Sequence, residues 1–288
     1  MSGPSYGPLL DAVRGVQWPA RRVVSGGLAG THHSRMRGTS TEFAEYRLYR
    51  QGDDPRRIDW RLLARSDRAY IRLATDRAVL PTTIVLDSSA SMAFPLATHA
   101  KWHRAREIAV GLAAVAQAGG DPIGIVLADG RGETRVVAPR TRRSVVDEIA
   151  HVVADAEAGG GAPLAPLVRA ARSARIAIIS DLLGDSDDVL REIRAHAAGG
   201  GEAHVVHIVA REELDLPRRT LLAADPEDPL LERLLTEATR RAYEEAFGEW
   251  RAELARQVRS GGAAYTEVVT DEPAAHAVRR ITRPAGKE

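Results

Sequence analysis

From residue 82 onward, short apolar runs alternate with segments of helical periodicity, which predicts a mostly parallel sheet with helices on both faces. The first run, Thr82-Thr83-Ile84-Val85-Leu86-Asp87, is β-branched and uninterrupted, as a strand buried on both sides requires, and it stops at an acid followed by hydroxyls. Trp102, Ala105, Ala109, Leu112 and Ala116 then recur at helical spacing until Gly119-Gly120. Residues 123–128 and 134–138 read as strands, the second turning back antiparallel across Asp129-Gly130-Arg131-Gly132. A helix is expected over about 144–157, a break at Gly159-Gly160-Gly161-Ala162-Pro163, and a shorter helix over 164–173. Strands at 175–181 and 203–209 flank a helix at 187–198. Asp228-Pro229 is expected to open a long helix reaching about Val258, with Leu231, Leu234, Ala238, Ala242, Ala246 and Trp250 as its apolar stripe. A strand at 265–270 and a helix at 274–282 close the pattern.

Residues 1–79 do not follow this alternation. There Asp59-Trp60 and Tyr70-Ile71-Arg72-Leu73 read as strand-like, and 41–49 as one or two helical turns. The organisation expected is therefore an N-terminal extension, 1–79, packed on an α/β domain, 80–285.

At 288 residues and 44% hydrophobic content, the chain is long enough for one α/β core with a substantial extension. It has no cysteine, which excludes disulfides and thiolate metal sites and permits a reducing compartment. Its start lacks a basic region followed by an apolar core, and no segment reaches the roughly 18 apolar residues of a membrane helix. The expectation is a cytoplasmic protein without membrane insertion. Forty basic residues face 39 acidic ones, so bulk charge argues for neither nucleic acid nor an anionic membrane as partner. Arg47, Arg50, Arg56, Arg57, Arg61, Arg65, Arg68 and Arg72 crowd the extension, but Asp53, Asp54, Asp59 and Asp67 are interleaved with them, the pattern of internal ion pairs. Lys101 and Lys287 are the only lysines, a bias that fits genome composition.

In an open parallel sheet the carboxyl ends of the strands face the ligand crevice, so Asp87, Ser89 and Ser91 are delivered there together. One carboxylate and two hydroxyls are hard oxygen donors suited to Mg²⁺; a serine-rich turn capping the next helix is the plainer alternative. The run Ile176-Ala177-Ile178-Ile179-Ser180-Asp181 repeats the motif, and two such strands at one edge bring Asp181 to Asp87. Asp181 as a helix cap or turn residue is the alternative. His204 and His207, three apart on a strand, point to opposite faces and do not chelate one ion, and the adjacent His32 and His33 diverge in the same way.

The D-x-S-x-S run at Asp87-Ser88-Ser89-Ala90-Ser91 resembles the metal-ion-dependent adhesion site of von Willebrand factor type A domains. With Gly30-Thr31-His32-His33-Ser34, Gly38, Glu42-Phe43, Arg47, Tyr49, Gly52-Asp53-Asp54, Arg56, Ile58-Asp59-Trp60 and Ala64-Arg65, the chain is similar to the domain of unknown function 58 family. That resemblance covers about Gly30 to Asp181 and implies a von Willebrand A-like fold and a MoxR-type AAA+ ATPase as partner. It also implies a site of Asp87, Ser89, Ser91 and Asp181 for Mg²⁺ or Mn²⁺, and a signature that includes Glu42, Arg47, Asp53, Arg56, Asp59, Trp60 and Arg65. Such sites take a threonine from a second loop, and Ala162 stands in its place here, which removes one ligand and implies weak binding. No G-x-x-x-x-G-K-[ST] occurs, so ATP chemistry belongs to the companion. The function expected is a non-enzymatic adaptor whose bound cation takes an acidic side chain from a client or partner. The alternatives are a metal-dependent hydrolase or phosphoryl-transfer enzyme using Asp87, and a structural A-like domain that has lost its metal.

Overall fold

The computed structural model describes residues 6–21, 29–33, 43–51, 53, 55–66, 68–74, 77–184, 186–216, 222–224, 232–234 and 236–283. The chain divides into two units, one of Met1–Pro19 with Pro81–Glu288 and one of Ala20–Leu80. The extension read from the sequence is thus split, because its first segment carries apolar residues that the sheet unit buries.

In the sheet unit the strands are β1 (Thr82–Leu86), β2 (Ile123–Ala128), β3 (Thr134–Arg140), β4 (Arg175–Ser180), β5 (Glu202–Val209) and β6 (Ala264–Val269). The helices are α1 (Gly7–Ala12), α2 (Ala100–Ala118), α3 (Val145–Asp155), α4 (Leu164–Ala170), α5 (Ser186–Ala198), α6 (Arg211–Leu214), α7 (Glu237–Ser260) and α8 (Ala274–Thr282). The sheet order is β6-β5-β4-β1-β2-β3, parallel throughout except for β3, which runs antiparallel to β2. This is the expected α/β class: a mostly parallel sheet with helices on both faces.

Residues on β1, β2, β4 and β5 are buried along their whole length, which is why those segments read as unbroken apolar runs. Alternate side chains serve two cores. Ile84, Leu86, Ile125, Leu127, Ala177 and Ile179 meet α2, α3 and α8, and Leu9, Val13 and Trp18 from the N-terminal segment join them. Val85, Val126, Ile176, Ile178 and Val205 meet α4, α5 and α7 on the other face. The chain leaves β1 towards β2 on one side and returns to β4 on the other, so β1 and β4 flank the switch in strand order where crevices form. Among the described residues no helix is long and apolar enough to cross a membrane.

Three expectations need correction. The long helix begins at Glu237, not near 228: the Thr236 hydroxyl caps it by accepting from Thr239 N at 3.1 Å. Glu232–Leu234 instead pairs antiparallel with Leu222–Ala224, and Leu231 lies outside the described residues. In the smaller unit the helical turns expected over 41–49 are a strand, Phe43–Leu48, paired antiparallel with Tyr70–Ala74. Asp59 is an N-cap rather than a strand residue; its Oδ1 accepts from Arg61 N and Leu62 N, both at 3.0 Å, at the start of the helix Trp60–Ser66.

Candidate metal centre

Leu86 pairs with Ile179 across β1 and β4, so the two strands end level and Asp87 follows one while Asp181 follows the other. The Asp87 amide donates to Ile179 O at 2.9 Å, which extends the ladder to the rim. Asp87 Oδ1 accepts from Ser89 N at 2.9 Å, and Oδ2 accepts from Ser180 Oγ at 2.5 Å. Ser89 Oγ lies 3.1 Å from Ser91 Oγ, and Ser91 Oγ donates to Asp181 Oδ1 at 3.1 Å. All four residues singled out in the sequence therefore stand in one hydrogen-bonded chain at the carboxyl edge of the sheet.

The loop after α3 closes the site from the side. Gly159 N and Gly160 N both donate to Ser88 O, at 3.0 and 3.1 Å, and Gly160 bridges to Ser89. A crevice of about 110 Å³ opens there, with Asp87, Ser89, Ala162, Ser180, Leu182 and Ser186 in its wall. Ala162 thus faces the same crevice as Asp87 and brings no side-chain oxygen to it.

Two further residues reach the rim that the sequence reading did not single out. Lys101, in the first turn of α2, is fully buried; its Nζ lies 2.8 Å from Asp181 Oδ2 and 2.5 Å from Glu213 Oε1. Glu213 is fixed in turn by accepting from Ala210 N at 2.7 Å at the start of α6. Burial alone would push the ammonium towards neutrality, but the two carboxylates overcome this and hold its pKa above the ordinary lysine value. A signal was present in the composition: Lys101 is one of two lysines among 40 basic residues.

Asp87 has no such partner. Among the described residues no lysine or arginine pairs with it, and burial, reinforced by the negative charge of Asp181, pushes its pKa up to about 6 against the pull of its hydrogen bonds. A buried carboxylate short of a counter-charge, with two hydroxyls within reach, is a donor set that fits a hard divalent cation. Among the described residues no group of three or more His, Cys, Asp or Glu side chains is placed to hold a metal ion.

His204 and His207 fall on opposite faces as their spacing predicts, and the side chains of His32 and His33 lie outside the described residues. His204 packs edge-on against Trp18 at 5.2 Å, while His207 lies on the other face, its Nδ1 2.6 Å from Tyr265 Oη and its ring beside Trp250. Burial lowers the His207 pKa to about 4, leaving it neutral at pH 7. The signature residues of the smaller unit build local structure. Arg47 pairs with Asp53 at 2.8 Å, Asp53 also accepts from Arg50 N, and Tyr46 Oη donates to Asp59 Oδ2 at 2.8 Å. Trp60 is 61% exposed, Arg56 and Arg65 are exposed, and Glu42 lies outside the described residues.

Residues 45–253 match the family model described as Protein of unknown function DUF58. The chain belongs to this family. Relatives within reach of it include the uncharacterized proteins Mb1516 of Mycobacterium bovis and Rv1480 of Mycobacterium tuberculosis, each 30% identical over 273 residues, spanning 91% of this chain and 85% of theirs. Solved structures similar in fold include the conserved hypothetical protein BatB from Bacteroides thetaiotaomicron, 16% identical with a TM-score of 0.43, over 69% of this chain and 95% of that one. The VWA domain of SpRpn10 is a second, 12% identical with a TM-score of 0.38, over 69% of this chain and 94% of that one. The family read from the motifs is thus the family that the chain matches.

Proposed function

We propose that this family member is a non-enzymatic binding adaptor whose rim at β1 and β4 holds a divalent cation, Mg²⁺ or Mn²⁺, and through it an acidic group of a protein partner. The observation that carries this reading is the convergence of Asp87 and Asp181 on adjacent strands, linked through Ser89 and Ser91, beside an open crevice. Asp87, Ser89 and Ser91, with Asp181 beside them, are the residues that would hold the ion, which would supply a positive charge open to a partner's carboxylate. Ser180 orients the Asp87 carboxylate from the side opposite its link to Ser89. The family resemblance suggests a MoxR-type AAA+ ATPase as that partner, or as a companion acting on a shared client in remodelling or maturation.

Isothermal titration with Mg²⁺ tests the ion: binding is expected for the native chain and its loss in Asp87→Ala, and flat traces for both remove the metal. Co-purification with a MoxR-type ATPase in Mg²⁺ and ATP tests the partner, with recovery lost in EDTA. Failure to recover the ATPase in any condition overturns that half of the reading.

A further inference from the structure

We propose that Lys101 is a resident cation of this site: it occupies Asp181 from within the protein and leaves an arriving ion to Asp87, Ser89 and Ser91. The proposal deepens the metal reading above and rests on it. Both oxygens of Asp181 are engaged, Oδ2 by Lys101 Nζ at 2.8 Å and Oδ1 by Ser91 Oγ at 3.1 Å and Leu183 N at 3.3 Å. Among the described residues, the hydrogen-bond donors that meet Asp87 are neutral and come from Ser89 and Ser180. Of the two acids that end β1 and β4, Asp181 already has a cation, and among the described residues Asp87 has none.

Lys101 is anchored on both sides. Its second partner, Glu213, is itself tied to the backbone of Ala210, and the Phe94 ring lies 5.6 Å from the ammonium. A compact ammonium sits between two carboxylates from different elements, where the broad planar fork of arginine does not fit without displacing one of them. In a chain that otherwise uses arginine almost exclusively, lysine here is the residue the geometry demands.

Of three buried carboxylates, Asp181 and Glu213 share the Lys101 ammonium, while Asp87 makes no ion pair among the described residues. A divalent ion is drawn to Asp87, while Lys101, already paired with Asp181, competes with it for that second carboxylate. Asp181 then acts on the ion through the Ser91 hydroxyl rather than by direct coordination. Because Lys101 supplies its charge at all times, the rim stays assembled without metal, and the ion adds a point of recognition rather than a structural pin.

The test is titration with Mn²⁺, followed by the paramagnetic resonance of the free ion, for the full native chain and for the double variant Lys101→Met with Glu213→Gln. The pair removes one charge of each sign, so the net charge of the site is unchanged while Asp181 is freed for the ion. The double variant is expected to bind Mn²⁺ about tenfold more tightly than the native chain. If the native chain binds Mn²⁺ and the double variant binds it no more tightly, the role of Lys101 is overturned and the metal reading stands. If neither binds, both fall together. Circular dichroism checks that the double variant folds; should it not, Glu213→Gln alone decides, since it leaves the ammonium wholly to Asp181 and is expected to weaken Mn²⁺ binding several-fold, with unchanged affinity overturning the proposal.

Discussion

At the scale of single residues, the buried titratable groups beside the rim act in opposite directions with pH. His207 is held down to about 4 from 6.5 by burial, so between those values the unfolded chain takes up a proton that the folded chain refuses. Its stabilising effect is present above pH 6.5 and is lost as the pH falls through about 4. Asp87 is pushed up to about 6 from 3.8, so over that window the folded chain keeps a proton the unfolded chain has released, and stability falls as the pH rises. The two slopes offset each other in the metal-free protein. Asp87→Asn removes one and is expected to uncover a loss on the order of 3 kcal/mol between pH 6.5 and 4 from His207, read from urea midpoints; a variant profile no steeper than the native one contradicts this. At the crevice wall, Ala162→Thr brings a hydroxyl to the same opening as Asp87 and is expected to tighten Mg²⁺ binding about tenfold by calorimetry. Asp87, Ser89 and Ser91 were legible because they follow one another on a single strand end, and Asp181 because a second apolar run also ends in an acid. Lys101 stood out as one of two lysines, but its pairing was not legible, since its partners lie 80 positions away at Asp181 and further still at Glu213.

At the scale of elements, the N-terminal segment is fastened beneath the sheet by the first residue of β4. Arg175 is fully buried; it donates to Trp18 O at 3.2 Å and Pro19 O at 3.0 Å, pairs with Glu202 at 3.3 Å, and stacks 4.4 Å from the Trp18 ring. Asp121 Oδ2 lies 3.7 Å away on its other side. Arg175→Met removes the buried guanidinium that lies between Asp121 and Glu202 and holds the Trp18–Pro19 carbonyls, and is expected to cost about 3–5 kcal/mol in chemical denaturation. Trp18→Ala keeps the charges but empties an apolar site and is expected to cost a similar amount, about 3–5 kcal/mol; a loss below 1 kcal/mol in either would show that this latch does not hold the segment. The contrast between Phe43–Leu48 and β1 shows where pattern reading stops. β1 is a strand by composition alone, since Thr82-Thr83-Ile84-Val85-Leu86 is buried on both faces. Phe43–Leu48 mixes apolar and charged positions, and it becomes a strand by pairing with Tyr70–Ala74, a partner local propensity does not reveal.

At the scale of the molecule, an ion bound only by the folded state stabilises it by mass action. With Mg²⁺ at about a hundred times its Kd, the native chain is expected to gain about 2.7 kcal/mol and to melt at a higher temperature, and Asp87→Ala to lose that gain. Equal shifts in both proteins would place the ion elsewhere. The sequence by itself determined the α/β class, the identity of the sheet strands and the two acids at their carboxyl ends, because a doubly covered parallel sheet demands unbroken apolar runs and leaves polar residues only where a run stops. Only the tertiary structure decided which charge meets which. The crossovers bring Lys101 to Asp181 and Glu213, and Arg175 to Trp18 and Glu202, while among the described residues no cation pairs with Asp87. Coulomb energy depends on separation and burial in space, and neither is written in the spacing along the chain.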